Sequence, residues 1–270
     1  MSDFDLNDEQ IERYARHLIL KGIGAEGQEK IVKSKILIIG AGGLGSPAAM
    51  YLAAAGVGEI GIADGDVVEL SNLQRQIIHT TEDIGKAKVL SALEKIKKLN
   101  PNVKVTMYEQ YLDASNILDI VKKYDFIIDG TDNFECKFLI NDACVLANKA
   151  YSYGGILRFN GQSMTIKPNE SACYACVFDS PPPTNMVPTC ASAGILGAIA
   201  GILGTIQATE ALKYITNYGT LLTNKLLIFD ADSMDFDKLN VKKNPKCRVC
   251  GENGIKELKD YDTTICETKG

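Results

Sequence analysis

Two pairs of cysteines have the spacing of metal ligands. Cys173 and Cys176 form one C-x-x-C pair, and Cys247 and Cys250 form the second. Four thiolates presented in this way build a closed tetrahedral zinc site with no open position for catalysis. The pairs lie 71 positions apart, too far for a self-contained zinc knuckle. The sequence therefore predicts a structural Zn²⁺ that clips the C-terminal part of the chain to its second half; free thiols or a redox pair are the alternative.

A glycine-rich turn follows the apolar run KILIIG. Its glycines are Gly40, Gly42, Gly43 and Gly45. Between a strand and a helix, such glycines permit a tight bend and close approach of the backbone to a phosphate at the helix N-terminus. Asp64 ends the next apolar run 19 positions later, where a carboxylate commonly binds a ribose hydroxyl. These residues predict a nucleotide site and leave NAD and ATP equally possible; a turn that serves packing alone is the alternative.

The segment SNLQRQ favours ATP over NAD. It contains Asn72, Arg75 and Gln76, and Lys88 begins the helix predicted after it. A nicotinamide site needs an apolar slot but no fixed guanidinium, whereas two cations beside a glycine turn suit a triphosphate. Taken singly, each of these side chains would more commonly be a solvated surface residue.

A second aspartate follows the fourth apolar run, in DGTDN. Because the carboxyl ends of parallel strands line the ligand crevice, Asp132 is predicted to hold Mg²⁺ opposite the phosphates. The alternative role for Asp132 is the N-cap of the next helix. Asp66 and Asn133 are further predicted nucleotide contacts.

Alternating strands and helices must position these residues. The predicted strands cover residues 35–40, 59–64, 104–112 and 125–132, and the predicted helices cover 7–33, 46–56, 86–100 and 116–124. This alternation predicts parallel pairing with right-handed crossovers. After about residue 150, two short β runs with a turn at Asn160-Gly161 predict a hairpin, and a buried helix is predicted over 194–215. The fold class is α/β, a Rossmann-like mostly parallel sheet that continues into a mixed or antiparallel half, with a four-cysteine zinc clip.

In this order, GAGGLG, DGDVVELSNLQRQ, G-x-x-K and DGTDN resemble the ThiF/MoeB/HesA family. Its members are relatives of the ubiquitin-activating enzymes and adenylate the C-terminus of small β-grasp sulfur-carrier proteins. The resemblance covers about residues 7–251, and SNLQRQ is its most specific part. It implies ATP on the glycine turn, Asp64 on the ribose, and Asn72, Arg75 and Lys88 around the phosphates. Asp132 would bind Mg²⁺.

The resemblance also implies a homodimer in which Arg16, from RYARHLIL, reaches into the partner's site. The implied reaction activates the terminal glycine carboxylate of a carrier that ends in Gly-Gly, releasing pyrophosphate, for thiocarboxylate formation in thiamine or molybdopterin biosynthesis. Residues 1–251 would form one adenylation domain, with a nucleotide half over about 35–150 and a carrier-binding and zinc half over about 151–251; residues 252–270 would form a polar tail. We expect no sulfurtransferase-type domain in this protein, so a cysteine desulfurase or another donor is expected to supply sulfur.

The chemistry is consistent with a chain that has only two histidines. A carboxylate nucleophile is already ionised at neutral pH, so positioning and charge neutralisation carry the rate without a general base. Arg16, Arg75, Lys88 and an ion on Asp132 would supply the positive charge. Cys190 follows a proline-rich loop and precedes the predicted buried helix, whose N-terminus would stabilise its thiolate. The resemblance implies that a cysteine in this loop serves the step after adenylation. An ordinary loop thiol is the alternative.

Composition excludes some other functions. A net charge of −5 gives no overall electrostatic attraction to nucleic acid or to an anionic membrane. Because the N-terminus is acidic and polar, we expect no signal peptide. Eight cysteines without such a signal favour reduced thiols, metal ligation or catalysis over disulfides, and we expect a cytoplasmic protein. An NAD-dependent oxidoreductase, a non-catalytic binding protein of the same fold and an adenylating enzyme of small carboxylates remain as alternatives.

The choice between ATP and NAD is open to a simple test. A ligand that binds only the folded state raises the melting temperature. We expect Mg²⁺-ATP to raise the Tm of the protein and NAD to leave it unchanged in differential scanning fluorimetry. Protection by NAD and not by ATP would favour the oxidoreductase.

Overall fold

One eight-stranded sheet runs through the protein. A computed structural model describes residues 6–182 and 193–261. The strands are β1 (Lys35–Ile39), β2 (Glu59–Ala63), β3 (Lys104–Tyr108), β4 (Phe126–Asp129), β5 (Ala150–Leu157), β6 (Asn160–Ile166), β7 (Lys225–Asp230) and β8 (Asp235–Asn240). The helices are α1 (Asp8–Arg13), α2 (Ala15–Leu18), α3 (Gly24–Lys33), α4 (Gly45–Ala55), α5 (Lys88–Leu99), α6 (Ile117–Val121), α7 (Phe134–Ala147), α8 (Tyr174–Val177) and α9 (Gly197–Thr216).

The sheet changes from parallel to antiparallel pairing at β5. Its order is β3-β2-β1-β4-β5-β6-β7-β8; the first five strands in this order are parallel to one another, and each of the last three is antiparallel to its neighbour. The predicted fold class is therefore confirmed: a Rossmann-like parallel sheet continues into an antiparallel half. None of the helices in the described part of the chain is long and apolar enough to cross a membrane.

Helices cover both faces of the parallel half. In β1, Ile36 and Ile38 pack against residues of α3, α4, α5 and α9, while Leu37 and Ile39 face α6 and α7. Strands buried on both faces are expected as continuous apolar runs rather than alternating ones, which is the pattern of KILII. The carboxyl ends of these strands consequently lie together at one edge, where the predicted site residues follow them.

The predicted buried helix is α9, and it packs closely on α4 of the same chain. A Cβ added at Gly204 would lie 2.3 Å from the carbonyl oxygen of Leu44, so only glycine permits this approach. Its buried Gln207 donates from Nε2 to the carbonyl oxygens of Asp129 at 2.7 Å and Ser152 at 3.0 Å. This amide ties the end of β4 and the first half of β5 to the helix.

The predicted hairpin exists, but the predicted position of its turn was wrong. Strand β5 ends at Leu157 and β6 begins at Asn160, so the turn residues are 158 and 159, and Arg158 has a φ of +56°. Gly161 lies inside β6, where an added Cβ would come within 2.5 Å of Leu203 on α9. This glycine therefore serves the contact between strand and helix, not the turn.

Candidate functional site

A cavity of about 860 Å³ opens at the carboxyl ends of the parallel strands. It brings together most of the predicted nucleotide residues: Gly40, Gly42, Gly43, Asp64, Arg75, Gln76, Lys88, Asp132 and Asn133. Such crevices at the carboxyl ends of strands are the usual ligand sites of open α/β sheets. Gly45, Asp66 and Asn72 lie behind this lining.

The glycine turn is built around one carbonyl group. Gly40 has a φ of +94°, and its Cβ would come within 2.8 Å of the Gly130 oxygen. A Cβ at Gly45 would lie 1.9 Å from the oxygen of Gly40. At Gly42 the nearest atom would be Gln76 Nε2 at 3.7 Å. Gly40 and Gly45 therefore make the turn possible, while Gly42 keeps its cavity-facing side open.

Asp64 fastens the turn to the end of β2. Its Oδ2 accepts from the backbone N–H of Ala41 at 2.8 Å and its Oδ1 from that of Asp66 at 2.8 Å. Burial raises the pKa of the Asp64 carboxyl, and the Lys88 charge and the two N–H donors oppose that rise. Each carboxylate oxygen accepts more than one hydrogen bond, so a ribose hydroxyl can still be bound.

Lys88 presents a buried ammonium group to the cavity. Its side chain is only 2% exposed, and Nζ lies 2.8 Å from Oδ2 of Asp66. The backbone N–H of Lys88 also donates to the carbonyl of Asp66 at 2.9 Å. Asp66 was predicted as a nucleotide contact, and that role stays a prediction; in the structure it holds the lysine.

The SNLQRQ segment places one guanidinium and two amides beside the turn. Arg75 donates from Nη1 to the carbonyl of Ser71 at 3.1 Å and lines the cavity. Asn72 is fully buried, and its Oδ1 accepts from the N–H of Glu69 at 3.1 Å. Nδ2 of Asn72 and Oε1 of Gln76 are buried without a hydrogen-bond partner among the described residues. Unsatisfied buried groups of this kind are costly and are consistent with a bound ligand.

Asp132 and Asn133 divide two roles between them. Asn133 is the N-cap of α7, because its Oδ1 accepts from the N–H of Cys136 at 2.8 Å. Capping was the alternative role for Asp132, which instead lines the cavity. Asp132 is exposed, yet partial desolvation by the surrounding protein raises the pKa of its carboxyl against the charges of Lys137, Lys88 and Arg75.

Lys137 is a cavity residue that was not predicted from the sequence. Its buried Nζ donates to the carbonyls of Gly154 at 2.6 Å and Thr131 at 2.8 Å, and lies 3.2 Å from Oδ2 of Asp129. It thereby joins the end of β4 to the middle of β5 in the cavity wall. A signal was present, because a lysine early in a helix opposes the helix dipole and needs a reason to be there.

His79 supports the glycine turn from beneath. Its Nε2 donates to the carbonyl of Ala41 at 3.0 Å, and its Nδ1 accepts from Ser91 Oγ at 2.8 Å. Burial lowers the pKa of His79 to about 4, so the ring is neutral at pH 7. The neutral ring and its two bonds indicate a structural role.

The four predicted metal ligands come together. The sulfur atoms of Cys173, Cys176, Cys247 and Cys250 all lie within 4.8 Å of one another. The Cys173–Cys247 distance is 3.6 Å and the Cys176–Cys250 distance 3.4 Å. A zinc ion about 2.3 Å from each sulfur in a tetrahedron requires sulfurs about 3.8 Å apart. Backbone N–H groups point at two of the sulfurs, as expected for thiolates. The residues present can hold a metal ion.

The structure describes only one of the two remaining predicted residues. Arg16 lies on the exposed face of α2 and does not line the cavity of its own chain. Cys190 lies outside the described residues.

Comparison with known proteins agrees with this fold. Residues 14–249 match the ThiF family, and the chain belongs to that family. It is 43% identical to the SAMP-activating enzyme E1 of Haloferax volcanii, covering 95% of both chains. It is also 43% identical to the sulfur carrier protein adenylyltransferase of Thermus thermophilus, covering 94% of this chain and 96% of that protein. A crystal structure of E. coli MccB with ATP superposes with a TM-score of 0.78 at 24% identity, over 92% of this chain and 76% of that one. The family predicted from the sequence is thus confirmed.

We expect Gly45→Ala to unfold the turn and Gly42→Ala to leave it intact. Neither glycine has a positive φ, so any difference is steric. The alanine at position 45 would press on the rigid Gly40 carbonyl and lower the free energy of unfolding by about 3 kcal/mol, against less than about 1 kcal/mol at position 42. Urea denaturation measures both. Equal stabilities would contradict the described packing.

We expect acid to destabilise the fold through His79. A histidine with a pKa of about 4 when folded and 6.5 when unfolded binds its proton more readily in the unfolded chain, so stability falls as pH drops from about 6.5 to about 4. Between pH 7 and pH 5 the loss from this group is about 2 kcal/mol. In urea denaturation, His79→Gln should lose this part of the pH dependence and the control His17→Gln should retain it. Identical pH dependence in His79→Gln and the wild type would refute the assignment.

Proposed function

We propose that this protein is an ATP-dependent adenylyltransferase that activates the C-terminal glycine carboxylate of a ubiquitin-like sulfur-carrier protein. One observation carries the proposal: the glycine turn, Arg75, the buried Lys88 and Asp132 all line the same cavity. The Thermus thermophilus relative is named a sulfur carrier protein adenylyltransferase, and its similarity extends over nearly the whole of both chains.

The residues of the cavity account for the steps of this reaction. The N–H groups at the start of α4 face the phosphates, which approach over Gly42, and Asp64 accepts from the ribose. The carrier's terminal carboxylate attacks the α-phosphorus, the bond to the bridging oxygen breaks, and pyrophosphate leaves. Lys88 and Arg75 stabilise the charge that develops on the phosphate oxygens. No side chain has to remove a proton, because the nucleophile is already ionised.

Asp132 is the residue of the cavity best suited to hold Mg²⁺. Asp132 lines the same cavity as the glycine turn, Arg75 and Lys88, and Asn133 caps α7. Carboxylate oxygens together with phosphate oxygens form the usual surroundings of this ion. When bound, Mg²⁺ would neutralise phosphate charge.

Zn²⁺ is the metal that the four-cysteine cluster fits best. Four sulfurs in near-tetrahedral positions leave no site for water or substrate. The ion would stabilise the fold by joining α8 to the segment after β8. It would take no part in adenylation.

The remaining assignments follow from the resemblance. The protein would act as a homodimer in which Arg16 completes the site of the other subunit, on a β-grasp carrier that ends in Gly-Gly. Cys190 would serve the step after adenylation, with sulfur from a cysteine desulfurase or another donor. The product would enter thiamine or molybdopterin biosynthesis. Residues 1–251 would form the adenylation domain.

The experiment that tests the proposal is ATP–pyrophosphate exchange with purified protein and candidate carriers. We expect exchange that needs one carrier and disappears when its terminal Gly-Gly is removed. Asp132→Asn should reduce the exchange rate at least about 100-fold, because it removes the charge that binds the metal. The control Asp119→Asn, on the exposed surface of α6, should stay within about twofold of the wild type.

Two results would overturn the proposal. Exchange that does not depend on any carrier would point to a small carboxylate as the substrate. No exchange with any carrier, despite ATP binding, would indicate a non-catalytic role.

A further inference from the structure

A tyrosine with no part in the reaction above contacts the carboxylate that holds Lys88. The hydroxyl of Tyr111 donates to Oδ1 of Asp66 at 2.5 Å. The other oxygen of that carboxylate, Oδ2, accepts from Lys88 Nζ at 2.8 Å. Asp66 therefore binds the tyrosine and the lysine through different oxygens, and the two bonds together fix the plane of the carboxylate.

The backbone around this group is fixed as well. The N–H of Asp66 donates to Asp64 and the N–H of Lys88 donates to the carbonyl of Asp66. The ring of Tyr111 covers the turn between the two aspartates, since a Cβ added at Gly65 would lie 2.9 Å from three of the ring's atoms. Tyr111 thus touches a short turn that leads to the ribose carboxylate on one side and to the lysine on the other.

A lysine needs such support if it is to act on a phosphate. Its ammonium group is carried on a flexible four-carbon stem and has three donors. One donor of Lys88 is used by Asp66, which leaves two for the cavity. An Asp66 carboxylate free to rotate would carry the ammonium with it. Without the tyrosine hydroxyl, that carboxylate would also offer its full charge to Lys88 and compete with the phosphates.

We propose that Tyr111 is a positioning residue for Lys88: by holding Asp66, it keeps the buried ammonium group directed at the phosphates of the nucleotide. Tyr111 acts through Asp66 and does not touch the reacting atoms. The kinetic effect expected for Tyr111 rests on the proposed adenylation. The arrangement of the three side chains can be tested without that activity.

Tyr111→Phe removes the hydroxyl and keeps the ring over Gly65. We expect kcat of carrier-dependent ATP–pyrophosphate exchange to fall about five- to tenfold, which corresponds to the net contribution of one typical hydrogen bond. The KM for ATP should change less than about twofold, because the turn and Asp64 still bind the nucleotide. A residue that only packs would lower the Tm and leave kcat unchanged, and that outcome would overturn the proposal.

A matched control and a double-mutant cycle sharpen the test. Tyr108→Phe also removes a bonded tyrosine hydroxyl, one that meets the hydroxyl of Tyr124 at 3.1 Å, and should leave kcat unchanged. If Tyr111 acts through Asp66, Tyr111→Phe should cost less than about twofold in an Asp66→Asn background. Independent, multiplying effects of the two substitutions would refute the coupling.

The ammonium group itself provides a readout that needs no activity. In ¹⁵N–¹H spectra of lysine side chains, a buried, bonded ammonium exchanges slowly with water and gives a visible signal, which Lys88→Arg would assign. We expect Tyr111→Phe to broaden or shift that signal and Tyr108→Phe to leave it in place. An unchanged signal in Tyr111→Phe would overturn this inference even if exchange succeeds. Absence of exchange in the wild type would instead refute the proposed function.

Discussion

The close contact among Gly40, Gly45 and Gly130 is the constraint on which the cavity depends. The carbonyl oxygen of Gly40 lies where side chains at the other two positions would have to be. Because these three residues follow β1, begin α4 and follow β4, the contact sets the distance between two strand ends and a helix N-terminus. The positions of the groups proposed to bind phosphate depend on this contact. They include the N–H groups of α4 and the ammonium group of Lys88.

Local spacing explains what the sequence could predict. The strand, glycine turn and helix around Gly40, and the carboxylate of Asp64, are encoded within about thirty consecutive positions, so pattern and propensity identify them. The paired cysteines are equally local within each pair. The parallel sheet follows from alternation of element types, and its antiparallel continuation follows from the change in pattern after residue 150. These features could be predicted without knowing which distant residues meet.

What the sequence could not predict depends on contacts between distant segments. The hydrogen bond from Tyr111 to Asp66 joins residues that are 45 positions apart in the sequence. The hydrogen bond from Lys137 to Gly154 joins residues that are 17 positions apart. No local pattern specifies such pairs. The error in the predicted position of the hairpin turn has the same cause. A glycine is needed at position 161 because Leu203 on α9 packs against it, and not because the chain turns there. Asp132 and Asn133 are adjacent, and either residue type could cap a helix. Only the three-dimensional structure shows that Asn133 is the cap and that Asp132 lines the cavity.

The separation of the four sulfurs along the chain has a consequence for biosynthesis. Two of the ligands precede α9, β7 and β8, and the other two follow them. All eight strands must therefore be synthesised before the four cysteines can bind one metal ion together. The nucleotide-binding strands can fold during translation, whereas closing the long loop between the cysteine pairs is a late event. A metal ion held by the four thiolates would then affect the last folding step of the newly made chain.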